Sequence, residues 1–459
     1  MYRVPNVLFQ ATCVYTNNIY SQAMRGYGNP QAAFALEVSM DHLAEAAGID
    51  PADFRMINRN QPGDVTPMEC KITTCPLDRC ITAVREKIDW DQKRGKGNGR
   101  GVGMASLIHV AGGARIYMSD GTGIRIKVTE NGELDVISGS TDQGQGSPTV
   151  MAQIIAEATG FMPEDVNMIF GDSALGLWDA GTHASRHTFV AGNAAVRAGA
   201  QVKQQILELA VQYIPKLVKS ALKKQKRKNP DFVEPELDYS LIDSPEKMDI
   251  KNRFIFPKAE PDHPYFRMEA RDVVRRGLHV GTGESKHVVA EVFWDPPTQM
   301  LNAEMKGNYS CTYAFGAAGV EVEVDKETGE VKILNLVSAH DVGRAVNPIL
   351  VKGQVYGAAY QGVGMGLSER VQVVEGKVVN GNFRDYKILT AKDTFPVEAV
   401  IVEDPDPAGP YGAKGIGEPG LVPTAPAIAN AVYDAVGVRI LDLPITPEKV
   451  LAALKAKGE

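Results

Sequence analysis

Five short polar loops, each bordered by glycine and each placed where a predicted strand gives way to a helix, limit how this 459-residue chain can fold. Glycine removes the Cβ atom that keeps a backbone away from a bulky ligand, and it permits positive φ at low cost. A helix N-terminus presents backbone N–H groups that bind anions. The pattern therefore predicts an α+β fold of mixed sheets and helices whose loops serve one large polar ligand. The loops occupy residues 23–31, 141–149, 179–188, 340–348 and 412–420.

The last of these loops, GAKGIGEPG at 412–420, carries a single acidic side chain. Glu418 lies between Gly417 and Pro419, and the proline stiffens the backbone that holds the carboxylate. A carboxylate held beside a glycine cradle is suited to act as a general base. The same residues also fit a plain turn with a solvated glutamate.

The first loop presents a cation and an aromatic ring on a tight turn. Arg25 and Tyr27 alternate with Gly26 and Gly28, and Asn29 then opens a predicted helix that closes at Gly48. Such a turn at a helix N-terminus suits an anionic or polar ligand. The alternative is a surface arginine on an ordinary capping turn.

The second loop combines glycines with an amide side chain. Gly144 and Gly146 flank Gln145 ahead of a helix, which predicts a nest of backbone N–H donors for an anion. It is not a Walker loop, because the Gly-Lys-Ser/Thr ending is absent. A capping turn is the competing interpretation.

The third and fourth loops add hydroxyls and cations. The third, THASRHT at 182–188, has small residues around Arg186 and predicts a surface that takes a phosphate; its two histidines lack an acidic partner at a zincin spacing, so no metal site is predicted. The helix after Pro348 carries Gln354 among many glycines. Close packing against a flat or bulky neighbour would explain them, and so would tight helix–helix contact.

Composition excludes several classes of protein. A net charge of -7 and a pI near 5.7 argue against a nucleic-acid or anionic-membrane surface. Five cysteines do not form a disulfide framework. Cys70, Cys75 and Cys80 recur every five residues, but Cys80 lies in a helical pattern where a thiol is usually a small core residue. No 18-residue apolar run and no signal-peptide pattern occur, so we expect a cytoplasmic protein without membrane insertion.

Domain organisation is indicated by a polar, glycine-rich linker at 91–101. It predicts one domain over residues 1–92 and a second over 93–459, with an irregular insertion at about 215–275. Residues 4–15 resemble a strand with no preceding turn, as if the sequence entered a domain midway.

Taken together, the loops resemble those of a known family. The strings AMRGYGNPQ, TDQGQGSPT, THASRHT, HDVGRAVNP with the following GQVYGAAYQG, and GAKGIGEPG are similar in order and spacing to the molybdenum-binding subunit of the xanthine oxidase family of molybdenum hydroxylases, over nearly the whole chain. The resemblance implies an elongated chain of several subdomains that binds molybdopterin. It also implies that no protein side chain ligates the metal.

The resemblance assigns roles to individual residues. Glu418 is similar to the family's general base, Gln145 to a glutamine that hydrogen-bonds a ligand of the metal, and Tyr27 to an aromatic residue of the substrate funnel. The remaining predicted contacts, all to the pterin or a dinucleotide tail that we expect to be cytosine dinucleotide, are Arg25, Gly144, Gly146, Ala184, Ser185, Arg186, Gln354, Lys414, Gly415 and Gly417.

The departures from the family pattern predict partners. Met24 stands where Phe or Tyr is usual, and the family's G-G-x-F-G-x-K loop and first half are not in this sequence. The chain resembles the C-terminal half of a split subunit, as in nicotinate dehydrogenase-like members. We therefore expect an N-terminal-half molybdenum subunit, an iron–sulfur subunit and a flavin (FAD) subunit as partners.

The implied activity is hydroxylation of an aromatic N-heterocycle, a small molecule, with water-derived oxygen. Reduction of a hydroxybenzoyl thioester and aldehyde oxidation on the same fold are alternatives. A non-catalytic scaffold subunit that kept the loops without the chemistry is an alternative of another class.

Overall fold

The computed structural model describes residues 1–280, 283 and 285–458. The chain forms two compact units: one comprises Met1–Met118, His183–Arg186 and Pro297–Glu459, and the other comprises Ser119–Thr182 and His187–Pro296. The chain therefore leaves the first unit twice, at residues 119 and 187, to build the second unit, and it returns to the first unit each time. The predicted domains, 1–92 and 93–459, follow a different division and remain a prediction.

The helices and strands of the described residues are named in chain order. The helices are α1 (Asn29–Ala47), α2 (Pro51–Asn58), α3 (Leu77–Lys87), α4 (Trp90–Lys93), α5 (Ser147–Thr159), α6 (His187–Lys228), α7 (Ala270–Leu278), α8 (Pro348–Leu367), α9 (Thr424–Val436) and α10 (Pro447–Lys457). The strands are β1 (Arg100–Val110), β2 (Thr122–Val128), β3 (Leu134–Ser138), β4 (Val166–Ile169), β5 (Met248–Lys251), β6 (Phe254–Pro257), β7 (Met268–Glu269), β8 (Val289–Trp294), β9 (Tyr313–Val324), β10 (Val331–Asp341), β11 (Val373–Val374), β12 (Lys377–Val378) and β13 (Val397–Val402).

The first unit is built on a four-stranded sheet in the order β1-β9-β10-β13, antiparallel except for the parallel pair β10 and β13. Side chains along β9 alternate between its faces. Phe315 and Ala317 enter a core that includes residues of α3, whereas Val320 and Val322 enter a core that includes residues of α9. The sheet is therefore the middle layer of three, and its strand ends lead into the loops predicted to carry function.

Helix α9 lies directly on β1, and glycine makes this contact possible. A Cβ atom on Gly103 would lie 2.1 Å from the backbone nitrogen of Ala431. No larger residue fits at that position without separating the helix from the strand. The close contact fixes the end of β1 relative to the loop that precedes α9.

The second unit contains the sheet β4-β3-β2-β8, against which α6 packs, and a smaller sheet β5-β6-β7. Asn131 and Gly132, a dipeptide that favours a hairpin turn, join β2 to β3. The insertion predicted to be irregular at about 215–275 is wrong in its secondary structure. Helix α6 continues through Pro215 to Lys228 because Ile214, Val218 and other apolar residues on both sides of the proline remain buried.

The strand predicted at residues 4–15 is also wrong. Tyr2 forms a single bridge with Arg59, but residues 4–15 form no strand, and every one of them is exposed. Apolar composition favoured a strand, yet a strand needs a paired backbone, and within the described residues this segment has no ladder.

The buried cysteines are core residues. Cys80 is fully buried, as predicted, and the Cys75 thiol donates to the Asn60 carbonyl at 3.2 Å. Burial raises the pKa of the Cys75 thiol to about 12. Among the residues that the structure describes, no three His, Cys, Asp or Glu side chains cluster as a metal site requires. No helix in that part of the chain combines the length and apolarity of a membrane span.

Candidate active site

The Glu418 carboxylate is held at both oxygens by two other loops of the first unit. Oε1 accepts a hydrogen bond from the Gly26 N–H at 3.2 Å, and Oε2 accepts one from the Ser185 hydroxyl at 3.2 Å. The Ser185 hydroxyl in turn accepts from the Glu418 N–H at 3.0 Å. The side chain is 14% exposed. The glutamate is therefore an oriented, largely buried group, and the alternative of a solvated glutamate on a turn is wrong.

Arg25 connects the first loop to the last loop and to α8. Its Nε donates to the Gly417 carbonyl at 2.6 Å, and Nη2 donates to the side-chain oxygen of Gln354 at 3.0 Å and to its carbonyl at 3.2 Å. Burial lowers the pKa of Arg25, while the nearby Glu418 carboxylate opposes that shift. Three predicted site residues that are far apart in sequence thus meet through one guanidinium group.

The backbone around Ser185 is strained in a way that presents its hydroxyl to Glu418. Ala184 and Ser185 have φ of 48° and 51°, the left-handed region that costs a residue other than glycine about 1–3 kcal/mol. Gly415 lies against this turn, because a Cβ atom on it would lie 1.7 Å from the Ser185 carbonyl oxygen. Strain of this kind persists where surrounding contacts enforce it, and it is concentrated at functional sites.

Lys414 anchors the last loop to the core. Its ammonium donates to Asp341 Oδ2 at 2.5 Å and to the Tyr313 carbonyl at 2.9 Å, and neither charged side chain is exposed. Burial raises the pKa of Asp341, although the Lys414 charge opposes the shift. Because the ammonium is buried and hydrogen-bonded within the protein, any contact between Lys414 and a ligand would come from its backbone.

His109, near the end of β1, was not identified from the sequence. Its Nε2 lies 3.8 Å from Glu418 Oε2, and its Nδ1 lies 2.7 Å from the Val110 carbonyl oxygen. The only signal in the sequence is one histidine inside an apolar strand, SLIHV, and most such residues belong to a core.

In the second unit, the backbone N–H groups that were predicted to bind an anion are occupied by an aspartate of the same loop. Asp142 Oδ1 accepts from the N–H groups of Gly144 at 3.2 Å, Gly146 at 3.2 Å and Ser147 at 3.4 Å. The Gln145 amide accepts from the Gln143 N–H at 2.5 Å and donates to the Ser147 hydroxyl at 2.5 Å. The loop is therefore closed by its own hydrogen bonds, and its role in binding a cofactor stays a prediction.

The glycines of α8 have two different explanations. A Cβ atom on Gly362 would lie 2.5 Å from Thr424 Cβ, which confirms tight helix–helix contact there. A Cβ atom on Gly353 would meet nothing within 4 Å, and one on Gly357 would meet only Arg25 Nη1 at 3.9 Å. A glycine inside a helix costs about 1 kcal/mol relative to alanine, and packing among the described residues does not account for these two.

The remaining predicted residues lie in or beside these loops. Tyr27 is 65% exposed and has φ of 48°, and Arg186 is buried directly after the strained turn. The structure brings together one set of predicted residues in the first unit, whereas Gly144, Gln145 and Gly146 belong to the second unit. That set is Arg25, Ser185, Gln354, Gly415, Gly417 and Glu418.

Comparison with known proteins gives a consistent family. A model described as molybdopterin cofactor-binding domain matches residues 83–395, and a second model of the same description matches residues 1–59. The xanthine dehydrogenase molybdenum-binding subunit of Escherichia coli O157:H7 is 32% identical over 97% of this chain and 55% of its own length. A probable xanthine dehydrogenase subunit from Bacillus subtilis strain 168 is 30% identical over 100% of this chain and 56% of its own length.

Solved structures give the same fold. The crystal structure of quinoline 2-oxidoreductase from Pseudomonas putida 86 superimposes with a TM-score of 0.80 at 22% identity, covering 94% of this chain and 53% of that chain. The chain thus spans about half the length of the curated relatives that it matches. The resemblance read from the loops and the α+β fold are both confirmed.

Proposed function

The chain belongs to the molybdopterin cofactor-binding proteins of the xanthine oxidase family, and on this premise we propose that it is the catalytic part of a multi-subunit molybdenum hydroxylase. The proposed reaction inserts a water-derived oxygen at an electrophilic carbon of an aromatic N-heterocycle. The relatives named for xanthine, itself such a heterocycle, support this substrate class. The observation on which the proposal depends is the Glu418 carboxylate, oriented at both oxygens beside the Arg25 guanidinium.

The residues around Arg25 fit an anionic, hydrogen-bonding group such as a pterin with phosphate. Arg25 supplies a fixed positive charge, and Gln354, whose side-chain oxygen accepts from Arg25, has an amide NH₂ as a donor. Gly353 and Gly357 leave the adjacent surface of α8 without Cβ atoms. We propose that these four residues hold the pterin.

The other predicted contacts are retained as proposals. Gln145 and its flanking glycines would hydrogen-bond the bound cofactor after exchanging the bonds that they now make within their own loop. Ala184, Ser185 and Arg186 would contact the pterin or its tail, for which we propose the cytosine dinucleotide form. Tyr27, which is exposed, would line the path of the substrate.

The mechanism assigns proton chemistry to this chain. When bound, the molybdenum cofactor supplies the two-electron redox chemistry. Glu418 accepts the proton of the attacking water-derived oxygen, and the Gly26 N–H and Ser185 hydroxyl keep its carboxylate in position. Electrons then pass to iron–sulfur and flavin subunits.

Replacing Arg25 tests the cofactor site directly. We expect Arg25→Gln to lower the molybdenum and pterin content per chain by about 10- to 100-fold, because a hydrogen-bonded charge contributes about 1.5–3 kcal/mol. The measurement is metal analysis and pterin fluorescence of the purified protein. Arg100→Gln, which changes an exposed arginine paired with Glu323, is the matched control. Full cofactor content in Arg25→Gln would contradict the assignment.

Residues 4–20 point to a protein partner. The apolar side chains of this segment are exposed to solvent, and Leu8 and Phe9 are each 85% exposed. The relatives carry nearly as much additional length as this chain spans. We propose that the corresponding polypeptide, an N-terminal-half molybdenum subunit, covers this segment. The other exposed apolar side chains of the segment are Val4, Val7, Val14, Tyr15, Ile19 and Tyr20.

Polar substitution of this segment should weaken the assembly. Burial of a Leu or Phe side chain contributes about 1.5–3 kcal/mol, so we expect Leu8→Ser with Phe9→Ser to weaken association by more than about 100-fold. The measurement is the recovery and dissociation constant of the native complex, with its subunits identified by mass. The control pair is Phe383→Ser with Leu441→Ser, which are also exposed. An equal loss of association in both double variants would show that residues 4–20 are not a specific contact surface.

A further inference from the structure

His109 lies beside Glu418, and the role derived for it rests on the proposed function of Glu418 as the base. The His109 side chain is 4% exposed, and its Nε2 faces Glu418 Oε2 at 3.8 Å. Glu418 Oε1 is turned to the Gly26 N–H, so His109 and the Ser185 hydroxyl both approach the same oxygen. A base that accepts a proton in every turnover must also release it, and the imidazole is the neighbouring group able to receive it.

The hydrogen bond to Val110 sets the tautomer of His109. A carbonyl oxygen can only accept, so the His109 Nδ1 that lies 2.7 Å from it carries the hydrogen. The neutral ring then has its lone pair on Nε2, the nitrogen that faces Glu418. In this form the imidazole is a proton acceptor toward a protonated glutamate.

The backbone around His109 is fixed by two of the site loops. On one side of His109, the Ile108 carbonyl accepts a hydrogen bond from the Asn29 side chain at 2.7 Å. On the other side, the Ala111 carbonyl accepts one from the Gly415 N–H at 2.9 Å. Among the described residues, the Arg25 guanidinium lies near the pair of His109 and Glu418: its Nε donates to the Gly417 carbonyl, and the Glu418 carboxylate opposes the lowering of its pKa by burial. The distance between His109 and Glu418 is therefore set by the same loops that build the site.

We propose that His109 takes the proton that Glu418 acquires in each turnover and passes it to solvent. Once His109 Nε2 and Glu418 Oε2 close from 3.8 Å to hydrogen-bond distance, the Glu418 O–H bond breaks and an N–H bond forms at Nε2, which leaves a carboxylate and an imidazolium. No electrons move in this step. The imidazolium then gives the Nε2 proton to water at the small exposed edge of the ring, which restores the neutral tautomer. His109 acts through Glu418, so it is a proton-relay residue.

His340 shows what a purely structural histidine looks like in this unit. It is fully buried, its Nε2 lies 2.7 Å from the Ser338 hydroxyl, and burial lowers its pKa to about 3. It stays neutral and has no contact with solvent. His109 differs because one nitrogen faces a carboxylate and a small part of the residue is exposed.

The test separates proton release from the chemical step in the holoenzyme complex. In His109→Phe, we expect reduction of the enzyme by substrate in a single turnover to stay within about threefold of the parent. Proton release, followed with a pH-indicator dye, and steady-state kcat should fall at least roughly tenfold. In His109→Ala, added imidazoles should restore kcat in order of their basicity. If single turnover and steady state fall together, or if neither changes, the relay is rejected.

A second measurement does not depend on activity. Nitrogen-15 NMR of histidine-labelled protein, with the His109 signal assigned by its loss in His109→Phe, should show the Nδ1–H tautomer. An Nε2–H tautomer would overturn the proposal. Failure of the relay and failure of the proposed function give different results. If only the relay is wrong, a Glu418 variant still loses turnover. If Glu418 is not the base, a Glu418 variant turns over normally.

Discussion

We expect Glu418→Gln to lose at least about 100-fold in kcat, the scale of effect that removal of a general base produces. Glutamine has nearly the same size, and its oxygen can still accept from the Gly26 N–H. Its amide cannot accept a proton from the attacking oxygen. Binding of molybdenum and pterin should be retained, since neither depends on that proton. Glu418→Ala should show the same loss.

The measurement compares turnover of purines and other N-heterocycles with an artificial electron acceptor. Glu369→Gln is the matched control: it lies in the same unit, is also partly buried, and accepts a hydrogen bond from the Tyr386 hydroxyl at 2.9 Å. We expect that variant to turn over normally. Retained turnover in Glu418→Gln with full cofactor content would refute the catalytic assignment and favour the scaffold alternative.

The geometry already weighs against a scaffold. Two consecutive left-handed residues, Ala184 and Ser185, place a hydroxyl on Glu418, and Gly415 is required so that this turn can lie against the last loop. Each strained residue costs stability. A subunit that only bound neighbours would gain nothing from holding one carboxylate at both oxygens, whereas a base needs that orientation.

Much of the fold could be predicted because its signals are local. Helix α1 begins at Asn29 and ends before Gly48, as its turn residues indicate. The meeting of Arg25, Gln354 and Glu418 was predictable only through the family resemblance, since their separations in sequence carry no distance information.

The rest depended on contacts that the sequence does not encode locally. Residues 4–15 have strand composition, but pairing decides whether a strand forms. Asp142 occupies the donors that glycine spacing assigned to an anion, and the partner of Lys414 is 73 residues away. His109 resembles any core histidine until the carboxylate opposite it is known.

Breaking the fully buried pair between Lys414 and Asp341 should give a large loss of stability. We expect Lys414→Met to lower the free energy of unfolding by about 3–5 kcal/mol, because it leaves a carboxylate buried without its cation. Denaturant unfolding followed by tryptophan fluorescence and circular dichroism measures the change. Lys449→Met, which removes a partly exposed ion pair with Asp442, is the control and should change stability little.

The pH dependence of that loss identifies the buried charge as its cause. Burial already holds the folded pKa of Asp341 above its unfolded value, so the folded state binds this proton more tightly and stability falls as pH rises between the two values. Without Lys414 the folded pKa rises further, and the destabilisation of Lys414→Met should shrink as pH is lowered from 8 toward the unfolded value, about 3.9. Adding Asp341→Asn should recover much of the loss and remove the difference between high and low pH. If Lys414→Met instead lowers the free energy of unfolding by the same amount at every pH, an uncompensated carboxylate is not the cause. The loop that carries Glu418 is then weakened by the missing contacts of the lysine side chain.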